Sequence, residues 1–418
     1  MSSCELSRVV ITGCGIVSAL GMSREKLYQS LLVGNSAVRV MTEWKLRGAT
    51  GELLAAPVEV SRERLLSLDR KLRRSMAPVA IFAALAAGNA IAESGLSAED
   101  LAACEAGCAI GSTLGSPSAI FETMLLFDKN GLESLPSQQF FKSVSHTAAF
   151  NVANAYGLNG ALLAPCSACA SGLQSIGLAY DEIRLGRQTI MLAGGADEAT
   201  PAVAGTFEQL FALAHPASGQ AAEAAIRPFD AERCGLACGE GAGIFVLEER
   251  NHALRRGARI LAEIRGYATN ASGRQTSQSD AGAIERCLRS GLREAGLQPE
   301  DIHYINAHAT GTRQGDAAEA VALRNVFGAG VPVSSLKAQL GHTMGASGAL
   351  EMAVVLEMSR NRLLLPTANL ENPDEACAGL DLLRQPRRTS LKYFIKDCFA
   401  FGGINAVLVG EVPSDNEG

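Results

Sequence analysis

Short apolar runs alternate with longer stretches of helical periodicity along the chain, and most of the apolar runs end in glycine or small polar residues. RVVITGCGIV (8–17) predicts a strand entering a glycine-rich turn; AGCAIGSTLGS (106–116) and QTIMLAGGAD (188–197) repeat that form. APVAIFAALAAGNAIAESG (77–95) predicts an Ala-rich buried helix ending at Gly95. In the second half HYINAHATGT, VPVSSLKAQLGH and CFAFGGINAVLV predict strands that each run into a polar or glycine-rich turn. Strand–turn–helix alternation of this kind indicates an α/β fold with largely buried sheets. The polar stretch LEERNHALRRGARI divides the chain into halves of comparable size, 1–250 and 251–418, with no low-complexity linker between them.

Composition narrows the classes. A chain of 418 residues with 47% hydrophobic and 19% charged residues is globular rather than disordered. A formal charge of −6 argues against a general nucleic-acid binder, so an acidic partner would need a local basic patch. The most apolar helical stretch, 77–87, is shorter than the roughly 20 residues a bilayer span takes. The opening MSSCELSRVVITG lacks the basic-then-apolar order of an export signal, and the eleven cysteines follow no framework spacing. Reduced thiols in a cytoplasm-like compartment are therefore expected.

The cysteines carry the first candidate chemistry. In PCSACASGLQSIG (165–177), Leu173, Ile176, Tyr180 and Ile183 mark one face of a helix that begins just after Cys169, with the short strand candidate GALLAP before it. Backbone N–H groups and the helix dipole at such a turn favour a thiolate, and the small neighbours leave room for a substrate to reach it. Three other readings compete: a small buried hydrophobe, a Cys166–Cys169 redox pair, and a zinc site using Cys166, Cys169, Cys234 and Cys238. The Ser-Ala centre is unlike a thioredoxin motif, and RCGLACGEGAG lacks a zinc knuckle's context.

His308 and His342 each stand at a strand end or helix start beside glycines and hydroxyl residues, where a neutral imidazole can donate to an oxyanion or move a proton. Lys337 reads either as a solvated strand-end lysine or as part of that site. Glu351, inside the apolar helix GALEMAVVLEM, requires a cationic or hydrogen-bonding partner.

SACASG, NAHATGT, KAQLGHTMGASG and FAFGGINAVL, in that order, with VVITGCGIVSALG and IRPFDAERCGLACGEGAG, resemble the β-ketoacyl-ACP synthases over about residues 7–410. More narrowly they are similar to 3-oxoacyl-ACP synthase II and the ketosynthase subunits of type II polyketide systems. The resemblance implies a thiolase-like fold: two duplicated halves in a five-layered α-β-α-β-α core, usually dimeric. It implies Cys169 as acyl-accepting nucleophile, His308 and His342 as the pair holding the malonyl thioester, and Lys337 with Glu351 as the supporting charged pair. It further implies Thr310 and Thr312 as contacts of the phosphopantetheine arm, Phe401 as gate, the N–H groups of Cys169 and Phe401 as oxyanion hole, and Leu114 as acyl-pocket lining. Cys166 is then expected as small, buried wall. No metal or organic cofactor is implied. The partners implied are an acyl carrier protein and a second ketosynthase-like subunit, identical or of chain-length-factor type. Arg70, Lys71, Arg73 and Arg74 form the candidate carrier-docking patch in this acidic chain.

Several positions depart from the family pattern: Arg233-Cys234-Gly235-Leu236, Asp397-Cys398, the stretch TNASGRQTSQSD (269–280) and His146. They leave the reaction class intact and point away from ordinary fatty-acid elongation toward a specialised pathway. Three rivals remain: a thiolase, a catalytically silent chain-length factor and a carrier-linked loading enzyme that only decarboxylates. The two histidine motifs argue against the first, and the retained Cys169 argues against the other two.

Overall fold

The computed structural model describes residues 6–47, 52–217, 219–274 and 277–413; Gln275 and Thr276, in the divergent stretch 269–280, lie outside them. Eleven strands among the described residues form one mixed sheet. The first half supplies β1 (Val9–Ser18), β2 (Gly107–Gly111), β3 (Leu162–Leu163), β4 (Ile190–Asp197) and β5 (Gly241–Glu249). The second supplies β6 (Ala262–Ala271), β7 (Tyr304–Asn306), β8 (Pro332–Ser334), β9 (Asp381–Leu382), β10 (Tyr393–Ala400) and β11 (Ile404–Glu411).

The order β9-β8-β7-β10-β11-β6-β1-β5-β4-β2-β3 contains one topology twice. In each half the second strand runs parallel to the third and fourth, the fourth pairs antiparallel with the fifth, and the fifth antiparallel with the first. β9 is an addition at one edge. The halves meet where Val9–Ile11 of β1 pair with Ala262–Ile264 of β6.

Strand alternation distributes the core over five layers. On β5, Phe245 and Leu247 face the central helices Ser171–Arg184 and Ser347–Asn361, while Ile244 and Val246 face the outer helix Pro78–Ser94. On the other side Val407 and Val409 of β11 pack under the outer helices Ala281–Ala295 and Arg313–Phe327. The central helix Ser347–Asn361 reads apolar nearly all round because it is buried over most of its length, whereas Ser171–Arg184 keeps a polar face with Gln174, Asp181 and Glu182.

Two predicted turns are strand instead. β1 and β4 run through the glycines of ITGCGIV and LAGGAD. At Gly13 and Gly15 the reason is close approach rather than turning: a Cβ there would lie 2.1 Å from the Ala90 carbonyl and 1.9 Å from that of Ala86, on the outer helix. The helix predicted to end at Gly95 does so, with Gly95 left-handed at φ +71°.

Candidate active site

Cys169 lies between β3 and the central helix Ser171–Arg184, whose buried face carries Leu173, Ile176, Tyr180 and Ile183. The residue before it, Ala168, is held at φ +47°, a left-handed conformation costly for a residue with a Cβ. That kink turns the thiol inward. A second turn, Met344–Ala346, closes against the start of the helix because glycines face each other: a Cβ on Gly172 or Gly195 would meet the Gly345 carbonyl at 2.3 or 2.2 Å. Buried Asp197 fastens this junction, accepting from Gly345 N (2.6 Å), Thr113 N (2.9 Å) and Ser112 Oγ (2.6 Å).

The result places His342 Nε2 2.8 Å from Cys169 Sγ. His342 Nδ1 lies 3.0 Å from Ser347 Oγ, and Ser347 Oγ 3.1 Å from Thr343 Oγ1. The His308 ring stands edge-on to His342 with centroids 5.3 Å apart, and its Nδ1 is buried without a partner among the described residues. Burial, reinforced by Lys337, holds both imidazoles well below the ordinary histidine range, so they are neutral. Burial also pushes the Cys169 thiol up to about 12, against the pull of Lys337 and of its own backbone N–H. The backbone N–H at the helix start does pull the thiol down, but desolvation outweighs it. The resting pair is a neutral thiol on a neutral imidazole, not a preformed thiolate.

Lys337 is fully buried rather than solvated, and its Nζ is 2.6 Å from Glu351 Oε1. The partner demanded by Glu351 is in fact two lysines. Lys396, missed in the sequence, places Nζ 2.8 Å from Glu351 Oε2 and 3.2 Å from the Asn306 carbonyl. A charged Lys-Asp pair inside the apolar strand YFIKDCFA was the available signal. Two further carboxylates were missed. Glu319 accepts from His308 N (2.8 Å) and Ala309 N (2.7 Å), and Asp316 from Phe229 N, Thr310 N and Gly311 N. They shape the loop that carries His308 and Thr310.

Cys169, His308 and His342 open into a cavity of about 380 Å3 whose walls include Thr310, Thr312, Phe399 and Phe401. The divergent Cys234 and Leu236 also line it. Phe401 packs 6.0 Å from Phe207, ring to ring, at the cavity side. Leu114 is not brought to this cavity; it is 49% exposed on the loop after β2. His146 is likewise exposed, its ring 5.8 Å from Phe150. Cys166 corrects an expectation: it is exposed, not buried, with Sγ on the Thr113 carbonyl at 3.1 Å, because the chain dips inward only after Ala168. The zinc reading fails on placement. Among the described residues Cys166 and Cys234 are exposed and Cys238 lies inside, while one donor atom each from Cys169, His308 and His342 fall within 4.8 Å of one another. Arg70, Lys71 and Arg74 are exposed around a one-turn helix, and Arg73 is half-buried with Nε on the Leu68 carbonyl at 3.1 Å.

Comparison with known proteins agrees with this geometry. Residues 6–253 match the family described as "Beta-ketoacyl synthase, N-terminal domain", and residues 261–371 its C-terminal domain. The chain is 32% identical over 407 residues to 3-oxoacyl-[acyl-carrier-protein] synthase 1 of Haemophilus influenzae, covering 97% of this chain and 98% of that protein. A crystal structure of a β-ketoacyl synthase from Burkholderia phymatum superposes with a TM-score of 0.92 at 38% identity, covering 98% of this chain and 100% of that one. A type II polyketide-synthase ketosynthase, solved in complex with its acyl carrier protein and bound to the hexaketide, gives 0.89 at 30% identity, covering 98% and 100%. The chain spanning Cys169, His308 and His342 belongs to the β-ketoacyl synthase family.

Proposed function

We propose that this chain condenses an acyl group, taken from an acyl carrier protein onto Cys169, with malonyl carried on the same kind of protein, giving a 3-oxoacyl product in a specialised polyketide or polyene-type pathway. The observation that carries the reaction is the 2.8 Å contact of Cys169 Sγ with His342 Nε2, beside a second neutral imidazole at the wall of the cavity. As the thiol adds to the acyl thioester, its proton passes to Nε2; His342 returns it to the departing pantetheine thiolate. Cys169 then holds the acyl group as a new thioester.

Malonyl thioester next loses carbon dioxide, placing negative charge on its carbonyl oxygen. Neutral histidines stabilise that charge by donating N–H rather than by titrating. The Ser347 hydroxyl can accept from Nδ1 or donate to it, so His342 can present a lone pair to the thiol in one step and an N–H to the enolate in the next. The enolate carbon attacks the acyl-cysteine carbonyl, within reach of the Cys169 and Phe401 N–H groups, and Cys169 leaves as a thiolate that takes a proton from solvent by way of His342 to restore the thiol. The sequence balances with no redox partner or metal. The divergent wall residues Cys234 and Leu236 support a specialised chain.

A second subunit fits an apolar face. Met124, Leu125 and Phe127 of helix Pro117–Asn130, with Leu132 and Phe140, are exposed. We place an identical or chain-length-factor-like partner there, and the carrier protein on the patch around Arg70, Lys71, Arg73 and Arg74. A reducing, cytoplasm-like compartment suits the thiol nucleophile.

Intact-protein mass spectrometry after incubation with a panel of acyl carrier thioesters tests the reading. Adducts on the native chain and none on Cys169→Ala are expected, with the preferred chain identifying the pathway. No adduct from any donor would favour a silent partner subunit.

A further inference from the structure

We propose that Asp397 and Glu319 hold a single proton between them and that this proton positions His308, making Asp397 a positioning residue for the condensation proposed above. Both side chains are buried, Asp397 on β10 and Glu319 on helix Arg313–Phe327. Glu319 spends one oxygen on His308 N and the other on Ala309 N. Both Asp397 oxygens are buried, and the groups within hydrogen-bonding reach of that carboxyl are the Glu319 carboxyl and the backbone N–H of His308.

Two ionised carboxylates in contact in a dry interior repel, whereas one proton turns the contact into a charge-assisted O–H···O bond. Glu319 is raised further than Asp397, so the proton kept at neutral pH sits on Glu319 and points at ionised Asp397, with both Glu319 oxygens still facing the backbone N–H groups. An amide at 397 would supply a donor to the contact at every pH; the two carboxyls supply one only while they keep their proton. The condition matters because the segment Glu319 anchors carries the catalytic imidazole.

The surrounding charges pull in both directions. Lys396 from the same strand and Lys337 from helix Lys337–Leu340 favour ionised Asp397; burial opposes them and prevails, raising Asp397 to about 6. Glu319 is raised well above its ordinary range by burial first, then by Asp397 and by Asp316 one turn earlier on its helix. The Cys287 thiol, on helix Ala281–Ala295, also feels Asp397. His308 itself is neutral. The pair thus keeps one proton at neutral pH and releases it to solvent as pH rises, after which the carboxylates push apart and the His308 loop loosens.

Asp397→Asn and Asp397→Ala, assayed for condensation across pH, test this. The Asn variant should stay within about threefold of the native enzyme at its optimum and lose the alkaline fall in kcat/KM, while the Ala variant should lose about tenfold or more at every pH. An unchanged alkaline limb in the Asn variant would overturn the proposal. Thermal unfolding gives a readout free of catalysis. The native fold binds a proton that the unfolded chain releases above the ordinary carboxyl range, so native Tm should fall relative to Asp397→Asn between about pH 5 and about pH 8. A Tm difference independent of pH would equally overturn it. Should Asp397→Asn not fold, Glu319→Gln removes the same shared proton; its single carbonyl oxygen leaves one of the two backbone N–H groups unpaired and lowers activity, but the alkaline limb and the pH-dependent Tm difference should still be lost. If no variant and no native enzyme condenses malonyl thioester, the functional reading is at fault and the unfolding series alone decides the shared proton.

Discussion

Lys396 and Lys337 grip opposite oxygens of one carboxylate, Glu351, at 2.8 and 2.6 Å, with all three side chains buried. Lys396 also reaches the Asn306 carbonyl, tying β10 to β7 two residues before His308. Burial works against the charge on Lys396, but Glu351 outweighs it and holds the ammonium charged.

Glu351→Gln strands two buried cations. Breaking a buried ion pair by removing one partner costs about 3–5 kcal/mol, so denaturant unfolding should show a loss of that order. Lys396→Met, which leaves Glu351 its bond to Lys337, should cost clearly less; equal losses would mean that Lys337 alone does not hold the carboxylate.

The free thiol should alkylate slowly at neutral pH and accelerate roughly tenfold per pH unit well beyond pH 8, since burial raises Cys169 to about 12 and only the thiolate reacts. Rates of iodoacetamide modification, read at Cys169 by peptide mass spectrometry, check this. A plateau near neutrality would instead reveal a thiolate–imidazolium pair with His342.

The two histidines should separate by step. His342→Ala removes the group touching the thiol and should slow acylation itself. His308→Ala should still form the acyl adduct but lose about 10²–10³ in condensation, the usual effect of deleting one oxyanion donor. Equal loss of adduct in both variants would contradict the division.

Gly172→Ala drives a Cβ to 2.3 Å from the Gly345 carbonyl. Overpacking of this kind costs about 1–3 kcal/mol, and it pries the His342 turn from the Cys169 helix. Activity should fall further than the stability loss accounts for, which Tm and kcat measured together will show.

Charge reversal at Arg70 and Arg74, both exposed, should raise KM for carrier-bound substrate about tenfold and leave kcat for a small thioester unchanged, the difference shrinking with added salt. Arg73 is the poorer choice because its Nε already braces the Leu68 carbonyl. Unchanged KM would remove this patch from the docking surface.

Much of this was legible in the sequence. Helix ends at Gly95, the amphipathic face of 173–183, and the placement of Cys169, His308 and His342 at turns follow from periodicity and glycine chemistry. The glycines of β1 and β4 misled because glycine serves both turning and close packing, and only the facing helix or strand distinguishes the two. Cys166 misled because only two residues separate it from a buried thiol, yet the kink at Ala168 changes the direction of the chain between them. Lys396 and Asp197 act through partners distant in sequence, so nothing local marks their roles, and Glu319 holds the loop just before its own helix through backbone N–H groups that no pattern reveals; an unexplained charge in an apolar strand marks only that a partner exists.

The twofold-repeated topology gives the thiol to the first half and both imidazoles, with the two lysines and Glu351, to the second. As the chain leaves the ribosome, Cys169 is therefore made long before anything that can take its proton. The nascent first half carries a cysteine with no histidine beside it, and the proposed acyl chemistry switches on only when the later half has docked along the β1–β6 seam and its central helix has packed on the first.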